Sequence, residues 1–359
     1  MGGDASRDRD VPHRKKSLHI LIVSDAWFPQ VNGVVRTLDT VRGLLTARGE
    51  RVSLITPERF RTVPCPSYPE IRLALASASA IDRIIEDTQP DAIHIATEGP
   101  LGLLARSQCR RRALPFTTSY HTRFPEYVAA RWRVPLRWTY RFVRWFHAPA
   151  SCVMVSTSSV EAELRHRGFT NICRWSRGVD TTLFRPRDKS FLSYPRPISL
   201  YVGRVAVEKS IEDFLRLDLP GTKVVVGDGP QLAELHARYP QTVFAGMKSG
   251  EDLANYYAAA DVFVFPSRTD TFGLVLLEAL ASGIPVAAYP VPGPLDVIDG
   301  SDAGCLNDDL GTAVQEAITI PAAVCRARAQ AFSWDRSAAQ FLSNLHPIGA
   351  QAQHASAAR

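Results

Sequence analysis

The sequence predicts an α/β protein in which two doubly wound, parallel-sheet domains face each other across a cleft. Three observations support this prediction. Runs rich in β-branched and aromatic residues alternate with helical patterns, as in βαβ units. A polar stretch with three prolines, residues 181–197, separates two such halves. The length of 359 residues, with 45% hydrophobic content, is sufficient for two separate cores.

The strand-like runs follow one another in both halves, with helical patterns between them. We therefore expect each half to form a parallel sheet whose strand carboxyl ends border the cleft. In the first half the runs are Ile20–Ser24, Val52–Thr56, Ile71–Leu75, Ala92–Ala96, Phe116–Tyr120 and Val153–Thr157. In the second half they are Ser199–Gly203, Lys223–Val226, Val243–Ala245, Val262–Phe265 and Val286–Ala288.

The two ends of the chain are predicted to be disordered tails. Residues 1–17 are charged and lack the apolar stretch of a secretory signal. Gly2 and Ser6 fit a myristoylation pattern, but this pattern is short and needs a eukaryotic enzyme, so a disordered tail is the simpler interpretation. The predicted order is a tail at 1–17, an N-terminal domain at 18–180, a linker at 181–197, a C-terminal domain at 198–332, a helix at 333–346 and a tail at 347–359.

Charge and cysteine usage narrow the class of protein. The net charge of +6 and the isoelectric point near 9.1 suit an anionic partner, whether nucleotide, nucleic acid or acidic membrane, and do not choose among them. No apolar run is long enough for a transmembrane helix. The cysteines lack zinc or redox spacing, which favours reduced structural thiols in a cytosolic protein. They are Cys65, Cys109, Cys152, Cys173, Cys305 and Cys325.

The most informative segment is PSRTDTFGLVLLEALASGIP, which follows the buried-strand pattern DVFVF and contains two carboxylates, Asp270 and Glu278. Gly273 opens a run with helical spacing, so the N–H groups of Thr271 to Leu274 should be unpaired donors that attract phosphate. Glu278 lies among apolar neighbours, where its carboxylate suits the hydroxyls of a ribose. The alternative is a solvated glutamate on an ordinary amphipathic helix.

This acidic pair, together with Phe272-Gly273-Leu274, resembles that of retaining glycosyltransferases with the GT-B architecture, in family 4, also called glycosyl transferases group 1. The family usually has glutamate at both positions. Here the first is Asp270, whose arm is one methylene shorter. The resemblance implies two Rossmann-like doubly wound domains facing across a cleft, with the helix at 333–346 crossing back onto the first domain.

Further motifs resemble the family in the same order, from about Leu18 to Leu345. Each is weak alone, and the shared order carries the resemblance. They are the loop with Gly33, the segment Ser119–Thr122 with His121, the loop Arg177–Asp180, the Gly203-Arg204 pair with Lys209, the segment Val226–Pro230 and the segment Phe244–Gly246.

The resemblance implies that a hexose passes from a UDP-sugar or GDP-mannose to an acceptor hydroxyl, with retention of anomeric configuration. Arg204 and Lys209 would neutralise the diphosphate, and His121 would lie near the donor sugar. The implied catalytic residues are His121, Arg204, Lys209 and Asp270. The implied donor-binding residues are Gly33, Gly203, Arg204, Lys209, Asp270, Thr271, Phe272, Gly273, Leu274 and Glu278, with Asp270 at the hexose and Glu278 at the ribose.

No metal or cofactor is expected. An Asp-x-Asp motif does not follow any apolar strand, because Asp8 and Asp10 belong to the N-terminal tail and Asp308-Asp309 to a polar loop. Fixed cations and helix-terminal amides would then stabilise the leaving diphosphate. The resemblance implies front-face attack, in which the departing phosphate oxygen takes the proton of the acceptor.

A basic and aromatic segment indicates a membrane partner. Residues Arg131–His147 read RWRVPLRWTYRFVRWFH, in which arginines and aromatic residues fall on adjoining faces of a helix. This composition suits an interfacial helix on an anionic membrane, and hence a lipid acceptor such as diacylglycerol. The alternative is a core helix with a basic outer face. The expected location is cytoplasmic, with peripheral association at the inner face of the membrane.

Three other functions fit parts of the pattern. Interleaved basic and aromatic residues also suit single-stranded nucleic acid. That interpretation leaves Asp270, Glu278 and the glycine loops unexplained, so no nucleic-acid partner is expected. A GT-B phosphorylase or a nucleotide-sugar epimerase would share the fold, but the resemblance favours a transferase.

Overall fold

A computed structural model describes residues 17–349 except 31, 66, 67, 127 and 129–133. Its first half contains a six-stranded parallel sheet in the order β2-β1-β5-β6-β7-β8. Helices cover both faces, so the central strands are buried on both sides. The strands are β1 (His19–Val23), β2 (Arg51–Ile55), β5 (Ala92–Ile95), β6 (Thr117–Tyr120), β7 (Cys152–Val155) and β8 (Ile172–Arg174). The helices are α1 (Gly33–Ala47), α2 (Ala78–Thr88), α3 (Pro100–Arg111), α4 (Leu136–His147) and α5 (Ser158–His166).

The second half repeats this plan with a parallel sheet in the order β11-β10-β9-β12-β13-β14. Its strands are β9 (Ile198–Val202), β10 (Thr222–Val226), β11 (Val243–Gly246), β12 (Val262–Phe265), β13 (Val286–Ala288) and β14 (Gly304–Leu306). Its helices are α6 (Ile211–Leu215), α7 (Leu232–Arg238), α8 (Gly250–Ala259), α9 (Leu274–Ala281), α10 (Pro292–Ile298), α11 (Leu310–Ala317) and α12 (Ala322–Gln330). The predicted fold, two Rossmann-like doubly wound domains facing across a cleft, is confirmed.

The last helix, α13 (Trp334–Asn344), packs on the first half rather than the second. Phe341 is fully buried beside Trp175 and the strands of the first sheet. We call the first sheet with its helices and α13 the N-lobe, and the second sheet with its helices the C-lobe. The chain therefore passes between the lobes twice, and the two passages touch where Val179 N–H donates to the Phe332 carbonyl at 3.2 Å.

Two details differ from the sequence-based expectations. The run at 71–75 does not join the first parallel sheet; it falls at the end of β4 (Tyr68–Ala74), which forms an antiparallel pair with β3 (Thr62–Cys65). An adjacent strand-like run was missed because β3 contains a proline. Cys152 and Cys173, expected as free thiols, are joined by a disulfide between β7 and β8. The pairing of β7 with the edge strand β8 brings these two residues together, which no local spacing reveals.

Candidate active site

The predicted donor-binding residues of the C-lobe gather where the strand order reverses. Chain connections leave β9 and β12, two neighbouring strands, toward opposite sides of the sheet, which is where open α/β sheets bind ligands. Gly203 and Arg204 directly follow β9, and Gly203 N–H donates to the Val226 carbonyl at 3.0 Å. The Arg204 carbonyl accepts a hydrogen bond from the Tyr201 hydroxyl at 2.8 Å, which fixes this turn.

Asp270 and Lys209 form an ion pair across this crevice. Lys209 Nζ lies 2.5 Å from Asp270 Oδ1, and both side chains are about four-fifths buried, with exposed fractions of 20% and 19%. The other carboxylate oxygen, Asp270 Oδ2, is buried and has no hydrogen-bond partner among the described residues. A buried carboxylate oxygen that accepts no hydrogen bond destabilises the fold. Asp270 Oδ2 is therefore suited to accept a hydrogen bond from a ligand hydroxyl.

The start of helix α9 supplies backbone donors beside this carboxylate. Gly273 precedes the helix with φ of +82°, a left-handed conformation that favours glycine. Within the part of the chain described, no side chain caps the helix. Across the cleft, Gly33 opens helix α1, and a Cβ atom added to it would lie 3.8 Å from Leu274 Cδ1. Two helix amino ends therefore meet at the cleft, which favours an anion there.

Thr271 and Phe272 have different roles within the same loop. Thr271 Oγ1 donates to the carbonyl of His121 at 2.6 Å, and the Thr271 carbonyl accepts from Ser156 Oγ at 3.4 Å. Both contacts join the C-lobe to the N-lobe. The Phe272 ring is buried in the C-lobe core against Phe332. Of Phe272, only the backbone remains available to a ligand.

Glu278 lies in the middle of α9 with only 3% of its side chain exposed, so the solvated alternative is wrong. Arg36 Nη2, from helix α1 of the N-lobe, forms an ion pair with Glu278 Oε1, and the Tyr257 hydroxyl donates to Oε2 at 2.9 Å. The carboxylate raises the pKa of Arg36, while burial and then the same carboxylate raise the pKa of Tyr257 well above its usual value. Glu278 therefore bridges the lobes.

His121 follows β6 at the N-lobe side of the cleft. Its Nδ1 lies 3.1 Å from Nη2 of Arg177, and its ring packs edge-on against Trp175. Nε2 is buried and has no hydrogen-bond partner in the described ranges. Burial, and then the charge of Arg177, hold the pKa of His121 well below its ordinary value, so the ring is neutral at pH 7.

Beneath His121, strand β6 carries a buried polar network that sequence reasoning missed. His94 contacts the hydroxyls of Thr117 and Ser119 at 2.9 and 2.8 Å. His147 contacts Thr118 Oγ1 at 2.8 Å and Glu98 at 3.1 Å. The only signal in the sequence was the run TTSY, whose hydroxyls are unusual in a fully buried strand.

Helix α4 presents the predicted aromatic and basic face outward. Trp138 and Trp145 are 58% and 49% exposed, whereas Tyr140 and Phe146 pack inward. The Arg106 guanidinium lies 3.9 Å from the centre of the Trp145 ring, which holds that indole at the surface. Arg131, Trp132 and Arg133, which belong to the predicted interfacial segment, lie outside the described residues. The helix therefore has features of both interpretations: one face packs in the core, and the other exposes aromatic and basic residues, as an interfacial helix would.

The described residues contain neither a membrane-spanning helix nor a cluster of metal ligands. None of the described helices is long and apolar enough to cross a bilayer. No group of three or more His, Cys, Asp or Glu side chains in this part of the chain could hold a metal ion.

Comparison with known families covers most of both lobes. Residues 31–183 match the family described as Glycosyltransferase Family 4, and residues 196–320 match the family described as Glycosyl transferases group 1. The two matches meet near the linker, so each family description applies to one lobe.

Curated relatives extend the match. The chain is 31% identical to sulfoquinovosyl transferase SQD2 of Arabidopsis thaliana, covering 79% of this chain and 62% of that protein. It is 30% identical to a GDP-mannose-dependent alpha-mannosyltransferase of Mycobacterium tuberculosis, covering 80% of this chain and 83% of that protein. It is 28% identical to alpha-monoglucosyldiacylglycerol synthase of Streptococcus pneumoniae, covering 84% and 78%. The chain thus spans less than two thirds of the plant protein.

Solved structures share the fold. Sucrose-phosphate synthase from Thermosynechococcus elongatus superposes with a TM-score of 0.73 at 22% identity, covering 95% of this chain and 100% of that one. The likeness supports the GT-B arrangement of the two lobes.

Proposed function

The chain belongs to the glycosyltransferases of family 4 and group 1, and we propose that it transfers a hexose from a nucleotide diphosphate sugar to an acceptor hydroxyl with retention of configuration. One observation carries the proposal. Asp270 Oδ2 and His121 Nε2 are buried polar atoms without partners in the described structure, on the loops that Thr271 joins across the cleft. Hydroxyls of a hexose would satisfy both atoms.

The leaving diphosphate would lie against the C-lobe crevice. Lys209 supplies a point charge there. Arg204, which follows strand β9, supplies a guanidinium. The N–H groups at the start of α9 add the positive end of the helix dipole. These groups would stabilise negative charge as it develops on the leaving group. In this proposal the reaction needs no metal ion.

The proposed reaction is a front-face displacement. The bond between the anomeric carbon and the diphosphate oxygen breaks, and the acceptor oxygen bonds to the same face of that carbon. The acceptor proton passes to the departing diphosphate oxygen, so no protein base is required. His121 would orient a sugar hydroxyl as a neutral ring, because burial holds its pKa well below the ordinary value.

The donor ribose would take the place of Arg36 on Glu278. Both oxygens of this carboxylate are already engaged, by Arg36 and by Tyr257. Ribose hydroxyls would donate to this carboxylate, so they would take the position that the guanidinium now occupies. Donor binding is therefore coupled to a change in the contact between the lobes.

We propose a membrane lipid as the acceptor, presented at helix α4. The exposed Trp138 and Trp145 and the exposed Arg137, Arg141 and Arg144 give this face the composition of an interfacial helix. The name of one relative, alpha-monoglucosyldiacylglycerol synthase, points the same way. Peripheral association with the inner face of the membrane would follow.

Transfer can be tested with purified protein, EDTA, and vesicles that contain diacylglycerol. UDP-glucose, UDP-galactose, UDP-glucuronate and GDP-mannose are offered in turn, and release of nucleoside diphosphate is measured together with the glycolipid product. We expect one donor to react, and thermal shift should show stabilisation by the matching nucleoside diphosphate alone. Absence of binding to every nucleotide would refute the proposal, and dependence on added metal would refute its metal-free form.

The membrane surface can be tested separately by flotation with anionic vesicles at low salt. Trp138→Ala combined with Trp145→Ala should abolish flotation, because both indoles would enter the headgroup boundary. Phe191→Ala is a matched control, since Phe191 is 48% exposed on the other lobe. Equal flotation of the double variant and the control would contradict the docking face and leave sugar transfer untouched.

A further inference from the structure

Arg177 is an unusual residue to find beside the candidate site. It follows β8 and only 4% of it is exposed. Its Nη1 donates to the carbonyls of Trp175 at 2.7 Å and Ser176 at 3.3 Å, and its guanidinium lies 4.2 Å from the centre of the Trp175 ring. No carboxylate of the described residues lies within ion-pair distance of it. A buried cation that contacts only neutral groups costs stability, which suggests that Arg177 is kept for a functional reason.

The third contact of the Arg177 guanidinium, with His121, suggests this functional reason. Nη2 lies 3.1 Å from His121 Nδ1. A guanidinium has only N–H donors and no acceptor, so in this contact Nδ1 must accept with its lone pair. A neutral imidazole whose Nδ1 accepts carries its proton on Nε2. A doubly protonated ring would set N–H against N–H at this position, which the geometry disfavours.

We propose that Arg177 is a positioning residue that holds His121 as the neutral tautomer protonated on Nε2 and thereby presents an N–H donor to the transferred sugar. The part that concerns the sugar rests on the proposed function; the tautomer does not. Nε2 is the buried ring atom that lacks a partner among the described residues, so the N–H placed there has no acceptor among them.

The surroundings of the ring support the same assignment. The other titratable groups that act on His121 are His94 and His147, and both already have hydroxyl partners on β6. Trp175 meets the ring edge-on and offers it no acceptor. The backbone of His121 is held independently, because its carbonyl accepts from Thr271 Oγ1. The contact with Arg177 is therefore what determines the tautomer of His121.

The direct test is the nitrogen spectrum of His121 in the full-length protein labelled with ¹⁵N-histidine. Assignment uses His121→Phe, which removes one of the 9 histidine spin systems. In the wild type, Nε2 should show the shift of a protonated nitrogen and Nδ1 that of an unprotonated one. In Arg177→Met the two shifts should move toward each other, because Nδ1 loses its donor. Arg177→Lys restores a donor and should restore the separation.

Kinetics supply the second readout. Arg177→Met should lower kcat/KM for the donor by about 10- to 100-fold, the effect expected for one misdirected hydrogen bond, and Arg177→Lys should recover most of it. In the His121→Phe background, Arg177→Met should cause no further loss. A wild-type spectrum with the proton on Nδ1 overturns the proposal, as does a folded Arg177→Met protein with unchanged spectrum and activity.

The outcomes separate this inference from the proposed function. If no donor is turned over but the spectrum changes as expected, the tautomer assignment stands and the glycosyl-transfer proposal fails. If Arg177→Met does not fold, the wild-type and Arg177→Lys spectra still decide the position of the proton.

Discussion

Each wall of the cleft lies at the carboxyl end of a parallel strand, yet the two walls are made differently. In the C-lobe, β12 reads VFVF and buries only apolar side chains, and the polar groups lie in the loop and helix that follow. In the N-lobe, β6 reads TTSY, and its hydroxyls contact two buried histidines below the site. One wall therefore places its chemistry after the strand, and the other supports His121 from within the sheet.

The difference shows two ways of fixing a side chain in a cleft. Asp270 is placed by a loop and held by one strong ion pair with Lys209. His121 is placed by packing, by a buried guanidinium and by a strand whose polar atoms already have partners. We expect substitutions in the C-lobe wall to act mainly on turnover and those in the buried polar network below His121 to act mainly on stability.

The largest expected effect concerns the Lys209–Asp270 pair. Lys209→Met should lower kcat by about 100- to 1000-fold, because a preorganised cation at the leaving group is lost. Lys189→Met is the matched control, since Lys189 pairs with Asp261 at the opposite end of β12. Steady-state kinetics with saturating donor measure the effect. Similar losses in both variants would show that the position of the pair has no bearing on turnover.

The next effect concerns the contact between the walls. Arg36→Met should lower the free energy of unfolding by about 2 kcal/mol, because the buried Glu278 keeps only Tyr257 as a partner. The partial exposure of Arg36 keeps this figure modest. Adding Glu278→Gln should recover part of the loss. Urea unfolding at pH 7 measures both, and an additive double variant would contradict a direct interaction.

The N-lobe wall should make stability depend on pH. Burial lowers the pKa of His94 to about 3 from an unfolded value of 6.5. Between these values the unfolded chain binds the extra proton, so stability falls as pH falls. From pH 7 to pH 5 this residue should remove about 2 kcal/mol, and His121 acts in the same direction. Urea titrations of the wild type and His94→Gln test this, and equal pH slopes would refute it.

The smallest expected effects come from exchanging residue types between the two strands. Thr118→Val leaves His147 Nδ1 without its hydroxyl, and Val264→Thr places an unpaired hydroxyl in an apolar strand. Each should cost about 1 to 2 kcal/mol in denaturant unfolding. If threonine were tolerated in β12 as well as in β6, the contrast between the walls would lose its energetic basis.

The C-lobe wall could be predicted from sequence because its determinants are local. A strand, a glycine in a left-handed conformation and a helix follow one another within the segment from Val262 to Ala281, and Asp270 and Glu278 belong to it. The resemblance to a family also depends on such contiguous motifs. The roles assigned to these residues remain predictions until the variants are measured.

The remainder of the site could not be predicted because its contacts are distant in sequence. Nothing near Arg36 indicates that it meets Glu278 of the other lobe, and Arg177 was noted only as part of a loop motif. The short strands β8 and β14 were missed because they lie at sheet edges and are only partly buried, unlike the equally short β13, so their sequences lack a continuous apolar run. Pairing of Cys152 with Cys173 likewise depends on strand order.

The paired passages between the lobes set how the protein can move. A Cβ atom added to Gly178 would lie 2.2 Å from Trp334 N, so the outgoing and returning chain lie in close backbone contact beside the Val179–Phe332 hydrogen bond. We expect any separation of the lobes to pivot there. His121 and Arg177 lie on the same side of that pivot and would travel together, whereas Thr271 and Glu278 would swing away from their N-lobe partners. Substrate entry would thus break the contacts of Thr271 and Glu278 with the N-lobe. The His121 ring would keep its contact with Arg177 and would already be oriented when the lobes close again.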